Sequence, residues 1–203
     1  MLIRRLNKIR HQQAKKVDIL CNDMVSAHAD FIRQLRSLNF SIDFYESILG
    51  HQDMTTLLDI VVEHIRNHVN NANVLVFLIN RDGYEIHIGH DDEPIEIDIQ
   101  KIESYFTDEL VGSISRSNRA CSLDEMFEVG LQANLQELSK VSAAAIPLGG
   151  FGSPVGFILV CRPAACKITS REIENITSIT PGLTRAIRLC QAFARTENAR
   201  KVL

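Results

Sequence analysis

Between residues 17 and 49 an apolar or small side chain recurs at Val17, Cys21, Met24, His28, Phe31, Leu35, Leu38, Ile42, Tyr45 and Leu49, in steps that alternate between four and three. His28 is the one polar member of the series. The steps average about 3.5 residues, the period of a coiled-coil seam, whereas a helix packed on its own domain follows about 3.6. A seam of this length needs a second helix to cover it. The spacing therefore predicts a long N-terminal helix that pairs in parallel with another copy through Val17, Met24, Phe31, Leu35, Leu38, Ile42, Tyr45 and Leu49. In that pairing Cys21 meets its own copy, so oxidation would crosslink the two chains.

A chain of 203 residues has room for one ordinary domain beyond this extension, and 45% apolar residues supply a core for it. The net charge of -3 gives no general attraction to nucleic acid or anionic lipid. Arg4, Arg5, Lys8, Arg10, Lys15 and Lys16 crowd the first sixteen residues and read as a solvated helix start. No apolar run approaches the roughly 18–20 residues of a membrane span. Met1 leads into a charged amphipathic segment rather than a short apolar one, so no signal peptide is expected. The five cysteines are odd in number and scattered, which argues against a disulfide framework and for a reducing, cytoplasmic setting.

The pattern changes after Gly50. Asp53 is placed to cap a helix whose apolar face is Met54, Leu57, Leu58, Val61, Ile65 and Val69. Val74 to Ile79 is a strand covered on both faces, Asn80-Arg81-Asp82-Gly83 signals a hairpin, and Tyr84 to Ile88 returns. Ile95, Ile97 and Ile99 alternate with acidic residues as a short strand. Ile102, Phe106, Leu110 and Ile114 repeat every four residues and predict a helix. A short strand is expected at Ala120 to Leu123, and a two-turn helix through Leu131, Leu135 and Leu138. Strands follow at Ala143 to Leu148 and Phe157 to Cys161, joined by a glycine-rich turn. Thr169 and Glu172 form a capping box before a last helix carrying Ile173, Ile176, Ile179, Leu183 and Ile187. Pro181-Gly182 inside it predicts a kink or a break.

The order of these pieces resembles the GAF domain. The resemblance is carried by Asp53-Met54-Thr55-Thr56-Leu57-Leu58, by Ala72 to Leu78, by Ala145-Ile146-Pro147-Leu148, by Gly152 to Val160 and by Ile168 to Ile173. It covers about residues 42–195. It implies an α+β fold with a central antiparallel sheet of about six strands and terminal helices on one face, here preceded by the long coiled-coil helix. The expected organisation is a dimerisation helix over 1–49, a GAF-like domain over 50–195 and a tail over 196–203. The resemblance further implies a signalling module that dimerises through its terminal helices, with Leu183 and Ile187 joining the seam. It also implies a small-molecule pocket between the sheet and the segments after the first hairpin. Ile102, Tyr105, Phe106, Leu110, Arg116, Arg119, Cys121 and Phe127 are the candidates to line it, the two arginines serving any anionic group.

The ligand classes of the family leave weak marks on this chain. Phe106, Asp108 and Glu109 are spaced wrongly for the cyclic-nucleotide pattern, and no Asn-Lys pair precedes them. None of Cys21, Cys121, Cys161, Cys166 or Cys190 is followed by histidine, as a covalently held bilin would favour. Cys121 lacks a partner cysteine of the kind methionine-sulfoxide-reducing members place over the pocket. His64 and His68 share a helix face, but a third metal ligand is not in reach. The glycines from 149 to 156 lack the lysine and hydroxyl of a phosphate loop. The expectation is a non-enzymatic cytoplasmic regulator, homodimeric, sensing a small molecule of unknown identity and without a metal. A partner kinase, phosphatase or cyclase would receive its output. The alternative is a dimerisation and docking module whose pocket is vestigial, and a thiol redox sensor or enzyme stands behind both.

Overall fold

A computed structural model of the chain describes residues 2–80, 83–88, 104–117, 119–132, 138, 140–149 and 153–201. The chain divides into two compact units, the first ending at Ile42 and the second beginning at Asp43. The first unit is helix: α1 runs Leu2–Ile48, and every side chain from residue 10 to residue 36 is exposed. Leu20, Met24 and Val25 each keep about two thirds of their surface accessible. The exposed apolar stripe is also wider than the heptad positions, because Ile19, Leu20, Val25 and Ile32 flank it.

In the second unit, α2 spans Met54–His68, β1 Asn73–Ile79, β2 Tyr84–Ile88 and α3 Asp108–Arg116. Then come β3 Cys121–Ser122, α4 Leu123–Glu128, β4 Val141–Leu148, β5 Gly156–Pro163 and α5 Ser170–Lys201. The described strands form one antiparallel sheet in the order β2-β1-β5-β4-β3. Local chemistry starts the elements where the residues ask for it. The Asp53 carboxylate accepts the Thr56 amide at 2.8 Å and caps α2. Gly83 takes φ +137°, and the Asn80 amide donates to its carbonyl at 3.0 Å, closing the β1–β2 return.

The two faces of the sheet follow from strand alternation. Leu75, Phe77, Phe157, Leu159, Cys161, Val141 and Ala145 share one core with Phe106, Leu110, Val111, Ile114 and Met126 of the α3–α4 side. The register sets Leu75 opposite Leu159 and Phe77 opposite Phe157. Their neighbours Val74, Val76, Ile158, Val160, Ala144 and Ile146 face the other way and are equally buried. There α2 lies on β1, α5 lies on β4, and the two helices touch.

Several expectations change. The helix expected to repeat through Phe106, Leu110 and Ile114 is interrupted, because Phe106 and Thr107 are not helical and α3 starts at Asp108. Thr107 takes the extended N-cap conformation, its hydroxyl accepting the Leu110 amide at 3.3 Å. Five strands are found among the described residues; the strand expected at 95–99 and Leu135 of the expected two-turn helix lie outside them. Helix α5 continues through Pro181. Proline at 181 removes the amide that would pair with the Thr177 carbonyl, and the Thr180 hydroxyl donates to that carbonyl at 2.9 Å in its place. Leu183 and Ile187, expected at a dimer seam, have no exposed surface. Ile176, Ile179, Leu183 and Ile187 recur in steps of three, four and four, which is the face of a helix packed on its own domain. Beside them, a Cβ on Gly182 would sit 2.1 Å from Cε1 of Tyr45, whose hydroxyl donates to the Ser178 carbonyl at 3.3 Å. Tyr45 therefore also packs within its own chain.

Candidate functional site

The sheet face under α3 and α4 holds a cavity of about 20 Å³, room for about one water. Its floor is explained by register. Ala143 of β4 lies directly opposite Cys161 of β5, so two small side chains stand side by side where larger ones fill the sheet elsewhere. Val141 and Leu159 border them, Leu123, Met126, Leu131 and Leu138 form the far wall, and Tyr105 and Phe106 close one side.

Aromatic packing fixes that side. Phe77 and Phe157 stack across the strand pair with centroids 4.4 Å apart, and Phe106 tilts onto Phe77 at 4.9 Å. The Tyr84 hydroxyl donates to the Phe106 carbonyl and ties the stretch before α3 to β2. On the opposite wall, Ser122 and Glu125 make a reciprocal capping box that starts α4, with bonds of 2.8 and 3.3 Å. The Ser122 amide, and then the Arg119 guanidinium, hold the Glu125 carboxyl below its ordinary pKa against the opposing pull of desolvation.

The lining is apolar. Burial pushes the Cys161 thiol up to about 12, so it is neutral and a poor nucleophile near pH 7. Cys121 is buried in the same core, its sulfur 3.6 Å from the Ser117 hydroxyl oxygen.

The expected pocket residues divide. Tyr105 and Phe106 line the cavity. Leu110 and Cys121 belong to the core around it, and Phe127 packs half-buried against that core. Arg116 and Arg119 are exposed, and Arg119 pairs with Glu125 at 2.8 Å; among the described residues the lining carries no arginine to meet an anionic group. Their closeness in sequence to α3 had suggested otherwise, but the last turn of the helix and the following loop point them to solvent. Ile102 lies outside the described residues. The sequence reading missed Leu123, Met126, Leu131, Leu138, Val141, Ala143, Leu159 and Cys161. Strand alternation could have found the last four, since each shares a face with a core residue two positions away.

Other clusters have local duties. The His68 ring Nδ1 lies 2.8 Å from the His64 carbonyl, and His87 Nε2 lies 2.8 Å from an Asp59 carboxylate oxygen. Among the described residues no group of three or more His, Cys, Asp or Glu is placed to hold a metal. No described helix is long and apolar enough to cross a membrane.

The fold is that of GAF domains. The chain is similar to the GAF domain of a phosphoenolpyruvate-protein phosphotransferase from Coxiella burnetii. That match has TM-score 0.59 and 13% identity, over 81% of this chain and 98% of that one. The corresponding Acinetobacter domain gives 0.56 and 14%, over 79% and 98%. The GAF domain of a putative sensor histidine kinase from Pseudomonas syringae pv. tomato gives 0.56 and 12%, over 86% and 99%. At such identities the likeness speaks for the fold alone. No family model matches the sequence, and no curated protein matches it.

Proposed function

We propose that this chain is a non-enzymatic regulatory module of a cytoplasmic signalling system. It homodimerises through α1 and admits a small uncharged molecule to the cavity under α3 and α4. The observation that carries the sensing part is that cavity: an apolar space floored by Ala143 and Cys161 on the face opposite the two packed helices. A charged occupant would lose its hydration there without a compensating partner, so cyclic nucleotides and other phosphates fit poorly. An occupant acts only through its difference in affinity for two arrangements of the protein. The output would pass to a partner such as a kinase, phosphatase or cyclase.

One observation favours a second reading. A space of about 20 Å³ is filled by about one water, as a docking module with a vestigial pocket would have it. Thermal unfolding in the presence of small apolar compounds, with cyclic nucleotides as the charged comparison, separates the two. Sensing predicts stabilisation by a neutral compound, about 2.7 kcal/mol at a hundred times its Kd, and loss of that effect in Cys161→Phe. No response to any neutral compound leaves the docking reading standing.

A further inference from the structure

The cavity and the start of α5 are built on the same two strand ends, from opposite faces. Val141, Ala143 and Cys161 point to the cavity. The residues covalently next to them, Ser142 and Arg162, hold the chain that enters α5. Arg162 is buried. Its Nη1 donates to Oε1 of Glu172 at 3.0 Å and its Nη2 to Oε2 at 2.8 Å, a paired geometry that fixes orientation as well as distance. Nη2 also donates to the Lys167 carbonyl, and Nε has no partner among the described residues.

Glu172 in turn receives the Thr169 amide and hydroxyl, both at 2.7 Å, while its own amide donates to the Thr169 hydroxyl at 3.3 Å. One carboxylate thus completes the α5 capping box and neutralises the buried cation of β5. Ser142, opposite Arg162 in the ladder, accepts the Ile168 amide at 3.1 Å. The Ala164 amide adds a bond to the Lys140 carbonyl at 2.7 Å. The connection from β5 to α5 is therefore fastened at successive points to the strand ends that floor the cavity.

We propose that the Arg162–Glu172 pair is the link by which a change in the cavity reaches the first turn of α5, resting for its purpose on the sensing reading above. A close-packed interior passes a displacement on rather than absorbing it. Here a side chain pressing on Ala143 or Cys161 moves the backbone that carries Ser142 and Arg162. Because the carboxylate serves both cap and cation, α5 cannot keep its cap geometry while β5 shifts beneath it. Arg162 is a positioning residue in this scheme, acting through Glu172.

Hydrogen exchange on the full chain tests the link without a ligand. Ala143→Val fills the cavity and Cys161→Ala enlarges it, so one of the pair remains usable if the other folds poorly. The expected result is a change of about fivefold or more in exchange of the amides from Thr169 to Ile173, the low end of allosteric coupling. That response should vanish in a Glu172→Gln background while the β4 and β5 amides still respond. Unchanged α5 amides, or a response that survives Glu172→Gln, overturn the proposal. A link that passes this test in a protein that retains no compound in the thermal screen leaves the coupling in place and removes the sensing reading alone.

Discussion

The two faces of the sheet are built from the same strands to opposite ends. On one, α2 and α5 bring rows of Leu, Ile and Val down onto Val74, Val76, Ile158 and Val160, and Ile176, Ile179, Leu183 and Ile187 have no exposed surface. On the other, a nine-residue helix (α3) and a six-residue one (α4) cover the sheet with aromatics and leave a small space over Ala143 and Cys161. Long regular helices fill a face by repeating one period. Short helices fill it piecewise, and a gap between pieces is where the small space lies. The contrast teaches that one face of a common sheet can be closed by helix periodicity while the other keeps a small gap.

The largest expected effect strikes the scaffold both faces share. Gly156 adopts φ +153°, and a Cβ there would lie 1.8 Å from the Phe77 carbonyl oxygen. Gly156→Ala should cost about 4 kcal/mol or more, abolishing the cooperative transition in urea or moving its midpoint far down. A variant of unchanged midpoint would mean that β1 and β5 part easily, and the contrast between faces would lose its common floor.

Next comes the tie between the faces. Desolvation raises the Glu172 pKa, but hydrogen bonds from Thr169 and the charge of Arg162 outweigh it and leave the carboxyl below its ordinary value of 4.5. A depressed carboxyl contributes stability that is present above its unfolded pKa and lost as pH falls through the folded one. Glu172→Gln should therefore cost about 2–3 kcal/mol near pH 7 and converge with the parent protein in acid. Parallel stability profiles from neutral pH down into acid would show that the pair contributes nothing through its charge.

The smallest effect discriminates the faces most sharply. Ala143 and Ala144 are adjacent on β4 and point to opposite sides. Ala144→Val pushes extra methyl groups into the packed helix face and should cost about 1–3 kcal/mol. Ala143→Val pushes them toward the cavity and should cost less than about 1 kcal/mol. Urea unfolding of the two proteins measures the difference, and equal losses would erase the distinction drawn between the faces.

What could be read in advance follows the same division. The Asp53 cap, the two-sided burial of β1, the Thr169–Glu172 capping box and the helix faces are set by residues close in sequence, so local pattern exposes them. The cavity depends on Ala143 meeting Cys161 across a strand pair, and that register has no local signature. Arg116 and Arg119 misled because nearness in sequence is not direction, and a quarter turn of helix separates inside from outside. Leu183 and Ile187 misled because a seam and a core face use the same residue types. Only the step pattern separates them, alternating three and four in α1 and favouring four in α5. Arg162, followed by proline, reads as a turn at the end of an apolar strand, yet β5 runs on to Pro163 and the partner that explains the arginine stands ten residues later.

The exposed stripe on α1 is where the account is most directly at risk. Native mass spectrometry of the purified chain, beside its denatured mass, measures both assembly and occupancy. The account predicts twice the chain mass, reverting to a single chain in Phe31→Asp, with additional non-covalent mass when the cavity is occupied. A monomer in the unsubstituted protein would contradict it, because the seam from Val17 to Leu49 would then stand uncovered.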